Sequence, residues 1–224
     1  MDESTVIWDW SYTLEVIPVL MKAAIVTIEA TFISFFFAAI LGLALALLRM
    51  TGGAVGWITS AVVEIIRSTP LLIQIFFIFF VLPRYGVALD AFTAGIIALS
   101  VHYACYCSEV YRAGLEAVPR GQWEACIALN LNSWNTFKNI ILPQAIPPIV
   151  PALGNYLVAL FKDTPLLSAI AVLELVQTAK ILGSENFRYT EPMTLVGVAF
   201  LILSLISSAG IRWVERRLNL RSVR

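Results

Sequence analysis

Lys162, Asp163 and Thr164 form a polar run inside an otherwise apolar stretch, a place where a small solute can be held. An adjacent cation and anion beside a backbone loosened by Pro165 can meet the carboxylate and the ammonium of a zwitterion, helped by free helix-end N–H and C=O groups. Asn155 and Tyr156 lie about two turns earlier and can line the same cavity. His102, Tyr103 and Tyr106 make a polar and aromatic patch elsewhere, with His102 and Tyr106 one helical turn apart on a shared face. A second reading stays open for each group. Lys162 and Asp163 can instead pair with neighbours such as Glu174, or with a second subunit, and brace the fold, because charge at bilayer depth is normally paired or faces a polar cavity. The His102 patch can instead hydrogen-bond between helices.

Two further pairs, Glu64 with Arg67 and Glu109 with Arg112, are three residues apart, the spacing of a helical ion pair, and read as bracing at a membrane surface. None of this suits catalysis. A single histidine leaves little for hydrolytic chemistry, and neither a Ser-His-Asp order nor paired catalytic carboxylates occur. Cys105 and Cys107 are two apart on a predicted helix, roughly 200° around it, so they cannot chelate one metal; with Cys126 they read as buried reduced thiols. The chain is therefore expected to be no enzyme and to bind no metal or cofactor itself.

The elements that must position these residues are membrane helices. Of 224 residues, 59% are hydrophobic and 13% charged, with a mean hydropathy of +0.85, too apolar for a soluble domain. A spanning helix needs ~20 mostly apolar residues, and about five stretches qualify: 23–48, 71–82 with an extension from Trp57, 92–108, 145–160 and 193–213. Prolines at 147, 148 and 151 and the polar run Lys162, Asp163, Thr164 make the fourth a broken or irregular element near mid-depth by this reading. The expected fold is all-α, a polytopic helical bundle forming one membrane domain over residues 1–224. Arg49, Arg67, Arg112, Arg120, Lys138, Arg212, Arg216, Arg217, Arg221 and Arg224 flank one set of helix ends, which puts the N-terminus outside and the C-terminus in the cytoplasm. No cleavable signal is apparent; Trp8 and Trp10 suit an interfacial anchor, and residues 211–224 a basic surface tail. Zero formal net charge gives no indication of a nucleic-acid partner.

Residues 121–145 stand out as an amphipathic insert that this orientation places in the cytoplasm. Trp123, Ile127 and Leu131 share about one face of a helix expected over 123–129, with Glu124 beside them. Asn130 reads as a left-handed stop, Ser133 as the cap of a second short helix, and Pro143 as its end. Such a helix–turn–helix insert reads as a docking surface.

This pattern resembles the coupling loop of ABC-importer permeases, a Glu-Ala-Ala segment, then a Gly, then Ile-x-Leu-Pro. Gly121, Glu124, Ala125, Ile140, Leu142 and Pro143 fall in it, with Cys126 where the second Ala is expected and Asn130 where Gly is expected. Glu64, Arg67, Thr69, Pro70, Leu71 and Gln74 resemble the second-segment signature of the family's polar amino acid branch. Glu109, Arg112 and Gly114 resemble its third. The Gly154–Asn155 pair and Lys162-Asp163-Thr164 resemble its fourth, with Pro165 replacing Ser, and the wording there is also similar to ectoine and hydroxyectoine permease subunits. The resemblance implies a multi-pass permease subunit in a bacterial inner membrane, surrounded by lipid. Its partners would be an ATPase dimer that binds ATP, a second permease subunit and an extracytoplasmic solute-binding protein. The coupling residues would be Gly121, Glu124, Ala125, Cys126, Asn130 and Pro143. Branch members that carry cations are expected to have an acid just after the Gly-Asn pair; Tyr156 there implies a zwitterion, ectoine or a polar amino acid. The competing readings are a self-contained secondary transporter or channel, which usually shows an internal repeat not found here, and an intramembrane enzyme.

Overall fold

In the computed structural model, which describes residues 8–217, every regular element is helical. Helix α1, Trp10–Met50, is 41 residues long and begins well before the expected residue 23. Asp9 starts it, its carboxylate accepting from the Ser11 and Tyr12 amides at 2.9 and 3.2 Å, so that two otherwise orphaned N–H groups are met. Gly52 and Gly53, both left-handed, turn the chain into α2, Gly53–Arg67. A 103° elbow at Ser68–Pro70 then leads to α3, Leu71–Phe76, which runs on through a π turn and a 3-10 turn to Tyr85. The second expected span is thus bent. Glu64 and Arg67 lie in the last turn of α2, at this elbow.

Helix α4, Ala91–Glu116, returns and is the central element, with Ala98, Leu99, Tyr103, Ala104 and Cys107 buried in the main core beside Ala30 and Ala38 of α1. Gly42 lets α1 approach it: an added Cβ would lie 2.6 Å from the Cys107 Cβ and 2.9 Å from the Ala104 carbonyl oxygen. Then come α5, Arg120–Ala128, and α6, Ser133–Thr136. A π turn over Phe137–Ile141 passes directly into α7, Leu142–Asp163.

Three expectations are corrected here. Asn132, not Ser133, caps α6, its side chain accepting from the Asn135 amide at 2.8 Å. Pro143 ends nothing; it sits in the first turn of α7, where its missing N–H would have had no partner in the α-helical pattern. Nor is the fourth segment broken at its prolines. Pro143, Pro147, Pro148 and Pro151 all lie within α7, and the helix continues through them. The irregularity falls beyond Asp163, in a 3-10 turn over Thr164–Ile170.

Helix α8, Leu175–Glu185, packs against the start of α1, and α9, Thr190–Arg217, runs back along α7. Glu174 is the N-cap of α8, bonded to the Val176 and Gln177 amides at 2.9 and 2.7 Å, and makes no pair with Lys162 or Asp163. Burial raises its carboxyl to about 7. The turn after α8 is tied by Arg188 to Asp9 and Glu191, and by the Tyr12 hydroxyl to the Leu182 carbonyl at 2.9 Å. Among the described residues four helices are long and apolar enough to cross a membrane, five when the bent α2–α3 pair counts as one span. Residues 1–7 and the tail residues 218–224 lie outside the described residues.

Candidate functional site

The polar residues of α4 and α7 meet where the α2–α3 elbow closes on them. The Tyr103 hydroxyl of α4 donates to Asp163 Oδ2 of α7 at 2.7 Å. One residue earlier, His102 Nδ1 lies 3.1 Å from Gln74 Oε1 of α3. Gln74 Nε2 already donates to the Ile66 and Thr69 carbonyls and the Thr69 hydroxyl, at 2.7, 3.1 and 2.8 Å. Its carbonyl oxygen is thereby turned to the imidazole, so Nδ1 carries the proton and Nε2 is left as an acceptor. Tyr106 and Tyr156 pack 5.6 Å apart, Tyr103 and Tyr156 6.2 Å, and His102 and Tyr106 5.1 Å, centroid to centroid. The Arg67 guanidinium stands 5.2 Å from the Tyr106 ring centre.

This cluster offers a carboxylate, hydroxyls, an imidazole acceptor, aromatic faces and one guanidinium on its rim. Groups of these kinds can meet a small molecule bearing both charges. Among the described residues no group of three His, Cys, Asp or Glu side chains is placed to hold a metal.

Lys162, Thr164 and Asn155 do not join it. Successive helical residues are about 100° apart, and Lys162 accordingly faces α9, in a groove of about 420 Å³ lined also by Val158, Phe200, Ser204 and Ser208. Thr164 is fully buried, its hydroxyl donating to the Phe161 carbonyl at 2.7 Å. Asn155 is exposed. The sequence-level idea of Lys162 and Asp163 closing around one solute is therefore not the geometry found. Conversely, Gln74, Arg67 and Tyr103 belong to the cluster. Tyr103 was visible as part of the α4 patch; Gln74 and Arg67 reach it only through the elbow, for which Thr69-Pro70 is the single local signal.

Below the cluster, Glu109 gathers three arginines. Oε1 takes Arg49 at 2.8 Å and Arg67 at 3.1 Å, and Oε2 takes Arg112 at 2.8 Å. Arg112 also grips Glu116 at 2.7 Å. Only the Glu109–Arg112 and Glu64–Arg67 parts were legible from spacing; Arg49 is 60 residues away in sequence.

At the same end of the bundle, α5 and α6 form an exposed hairpin. Cys126 is buried, and Trp123 packs against the Leu115, Val118 and Ile141 cluster, which anchors it. Asn130 adopts φ 53°, and the Leu131 amide reaches back to the Cys126 carbonyl at 3.0 Å, the closure expected of a left-handed cap. Gly121, Glu124 and Ala125 face outward, near Ile127 and Leu129, which are 77% and 71% exposed. An anchored hairpin presenting a carboxylate beside bare aliphatic side chains is built to be covered by something else.

Residues 38–220 match the family model described as binding-protein-dependent transport system inner membrane component. A probable amino-acid ABC transporter permease protein of Sinorhizobium fredii is 44% identical over 214 residues, covering 95% of this chain and 93% of that one. The L-cystine transport system permease protein of Bacillus subtilis is 38% identical over 208 residues, covering 90% and 87%. Among solved structures, an amino acid ABC transporter crystallised with histidines superposes with a TM-score of 0.88 at 32% identity, covering 95% of this chain and all of that one.

Proposed function

We propose that the chain, which belongs to the family of binding-protein-dependent transport system inner membrane components, carries a zwitterionic amino acid or amino-acid derivative inward across the membrane. As a family member it is a multi-pass inner-membrane permease subunit and not an enzyme; ATP hydrolysis resides on a separate chain. The observation that carries the mechanistic reading is the anchored, exposed α5–α6 hairpin. Glu124 pairs with basic groups in a cleft of the ATPase, and Ile127 and Leu129 fill it. With that hairpin in the cytoplasm, as the positive-inside rule orients the chain, the N-terminus lies outside. A solute-binding protein delivers the solute there, and a second permease subunit, identical or sister, completes the pathway.

The solute rests on the Tyr103–Asp163, His102, Tyr106 and Tyr156 cluster, its ammonium toward Asp163 and the Tyr156 ring. Tyr156 supplies no negative charge for a net cation, so zwitterions are favoured, ectoine or a polar amino acid among them. Two measurements test this. Glu124→Lys should abolish uptake and co-purification of the ATPase, and wild-type levels of both would refute the docking role. Competition for uptake in cells carrying the whole system should show inhibition by neutral amino acids or ectoine; transport of arginine or lysine unaffected by either would refute the zwitterion reading.

A further inference from the structure

Arg67 occupies a position between two sites. Its guanidinium stands over the Tyr106 ring, part of the cluster assigned to the solute, and its Nη1 contacts Glu109, part of the ion network that runs toward the docking hairpin. It is the least tightly held of the three arginines on Glu109. Arg49 and Arg112 each contact that carboxylate at 2.8 Å, and Arg112 adds a second bond to it from Nε at 3.1 Å. Arg67 is at 3.1 Å, with a looser 3.7 Å contact to the exposed Glu64. Its Nε is enclosed and has no acceptor. A buried guanidinium N–H without a partner is uncommon, and it is the donor a carboxylate would take.

From Glu109 the contacts continue. Arg112 joins Glu109 to Glu116 near the end of α4, and Glu116 lines one cavity with Arg120 and Trp123 of the docking helix. Arg49 ties the same carboxylate to the end of α1, and Arg67 ties it to the elbow. One carboxylate thus holds together α1, the elbow and the segment of α4 that leads into the docking hairpin.

We propose that Arg67 is the solute's carboxylate-binding residue and that, in taking the carboxylate, it leaves Glu109, which transmits occupancy of the cluster to the docking helix. The solute carboxylate replaces Glu109 as the acceptor for Arg67 and adds the unfilled Nε. Glu109 then draws Arg49 and Arg112 closer, changing the grip of Arg112 on Glu116 beside Trp123. Glu109 is a positioning residue: it holds Arg67 ready and touches no solute. This rests on the zwitterion reading above, and it supplies the cation that Lys162, facing α9, does not.

The test uses the assembled complex with its ATPase and binding protein in lipid nanodiscs, with L-glutamine and ectoine as probes and ATPase rate as readout. In the wild type at least one probe should stimulate hydrolysis; if neither does, the zwitterion reading fails and this inference with it. If stimulation is seen, Glu109→Gln should lose most of the ratio of stimulated to basal rate while the KM for the probe stays within about twofold, because the solute contact remains. Arg67→Gln should raise KM about tenfold, the size of one lost charge-assisted hydrogen bond, and lose stimulation; Arg67→Lys should recover part of both. The double variant should be no worse than Arg67→Gln alone. A Glu109→Gln complex with the wild-type ratio, or two single effects that multiply in the double variant, would overturn the proposal. Should Glu109→Gln fail to assemble, Arg67→Lys decides: it keeps the charge but lacks the planar fork, and wild-type stimulation with wild-type KM would equally overturn it.

Discussion

Tyr103 is almost fully buried, and its hydroxyl holds Asp163 across 2.7 Å. Tyr103→Phe keeps the ring and removes the one donor, so Asp163 loses its orientation while the packing survives. The expected outcome is a rise of about tenfold in the uptake KM, from roughly 1–1.5 kcal/mol of lost hydrogen bonding, with unfolding temperature in detergent nearly unchanged. An unchanged KM would remove Asp163 from the solute contacts. At this scale the sequence was readable where chemistry and spacing coincided: His102 and Tyr106 share a face as expected, Tyr156 joins them, and Asn130 takes the left-handed conformation. It was unreadable where the deciding factor was which way a side chain points. Lys162 and Asp163 are adjacent in sequence and face different helices, a consequence of the 100° step that their shared polarity concealed.

Elements were legible to the extent that hydropathy alone decides them. The long apolar stretches are helices, but the first extends to Trp10 because Asp9 caps it, and the fourth continues through its prolines. The elbow and α8 were missed, since short helices inside a bundle carry no uninterrupted apolar window. Helix contacts give sharper expectations. Gly42→Ala drives a Cβ to 2.9 Å from the Ala104 backbone oxygen, an atom that cannot move aside without parting α1 from α4. A loss of about 1–3 kcal/mol is expected, to be read from chemical denaturation in detergent. At the hairpin, Asn130→Gly should leave uptake nearly intact and Asn130→Val impair it, since a β-branched residue is disfavoured at φ 53°. Equal activities would deny the turn a role in docking. Glu174 gives a pH dependence. Burial raises its folded pKa to about 7, above the ordinary 4.5, so the folded state binds the extra proton and stability falls as pH rises from about 4.5 to 7. Glu174→Gln should remove that slope, measured as the difference in melting temperature between the two proteins across the window.

For the molecule as a whole, the 103° elbow decides the topology. If α2 and α3 formed a re-entrant loop, the chain would cross four times and its ends would share a side; as one bent span they make five, and the ends oppose. Helix α1 ends, and α4 ends, beside the hairpin, where Arg49 meets Glu109, so α2 and α3 must carry the chain to the far end, where α4 begins at Asp90. Trp10 and Arg217 therefore lie at opposite ends, with Gly154 of α7 against Ile211 near the close of α9. Composition foretold the bilayer, while the bend between α2 and α3 left only Thr69-Pro70 in the sequence. Labelling can check sidedness directly, because Cys105, Cys107 and Cys126 are all buried and give a low background. An impermeant maleimide added to whole spheroplasts should modify Glu185→Cys at the exposed end of α8, and should modify Lys138→Cys only after the membrane is opened. Labelling of both from outside would place the hairpin away from the cytoplasmic ATPase and exclude it as the docking surface.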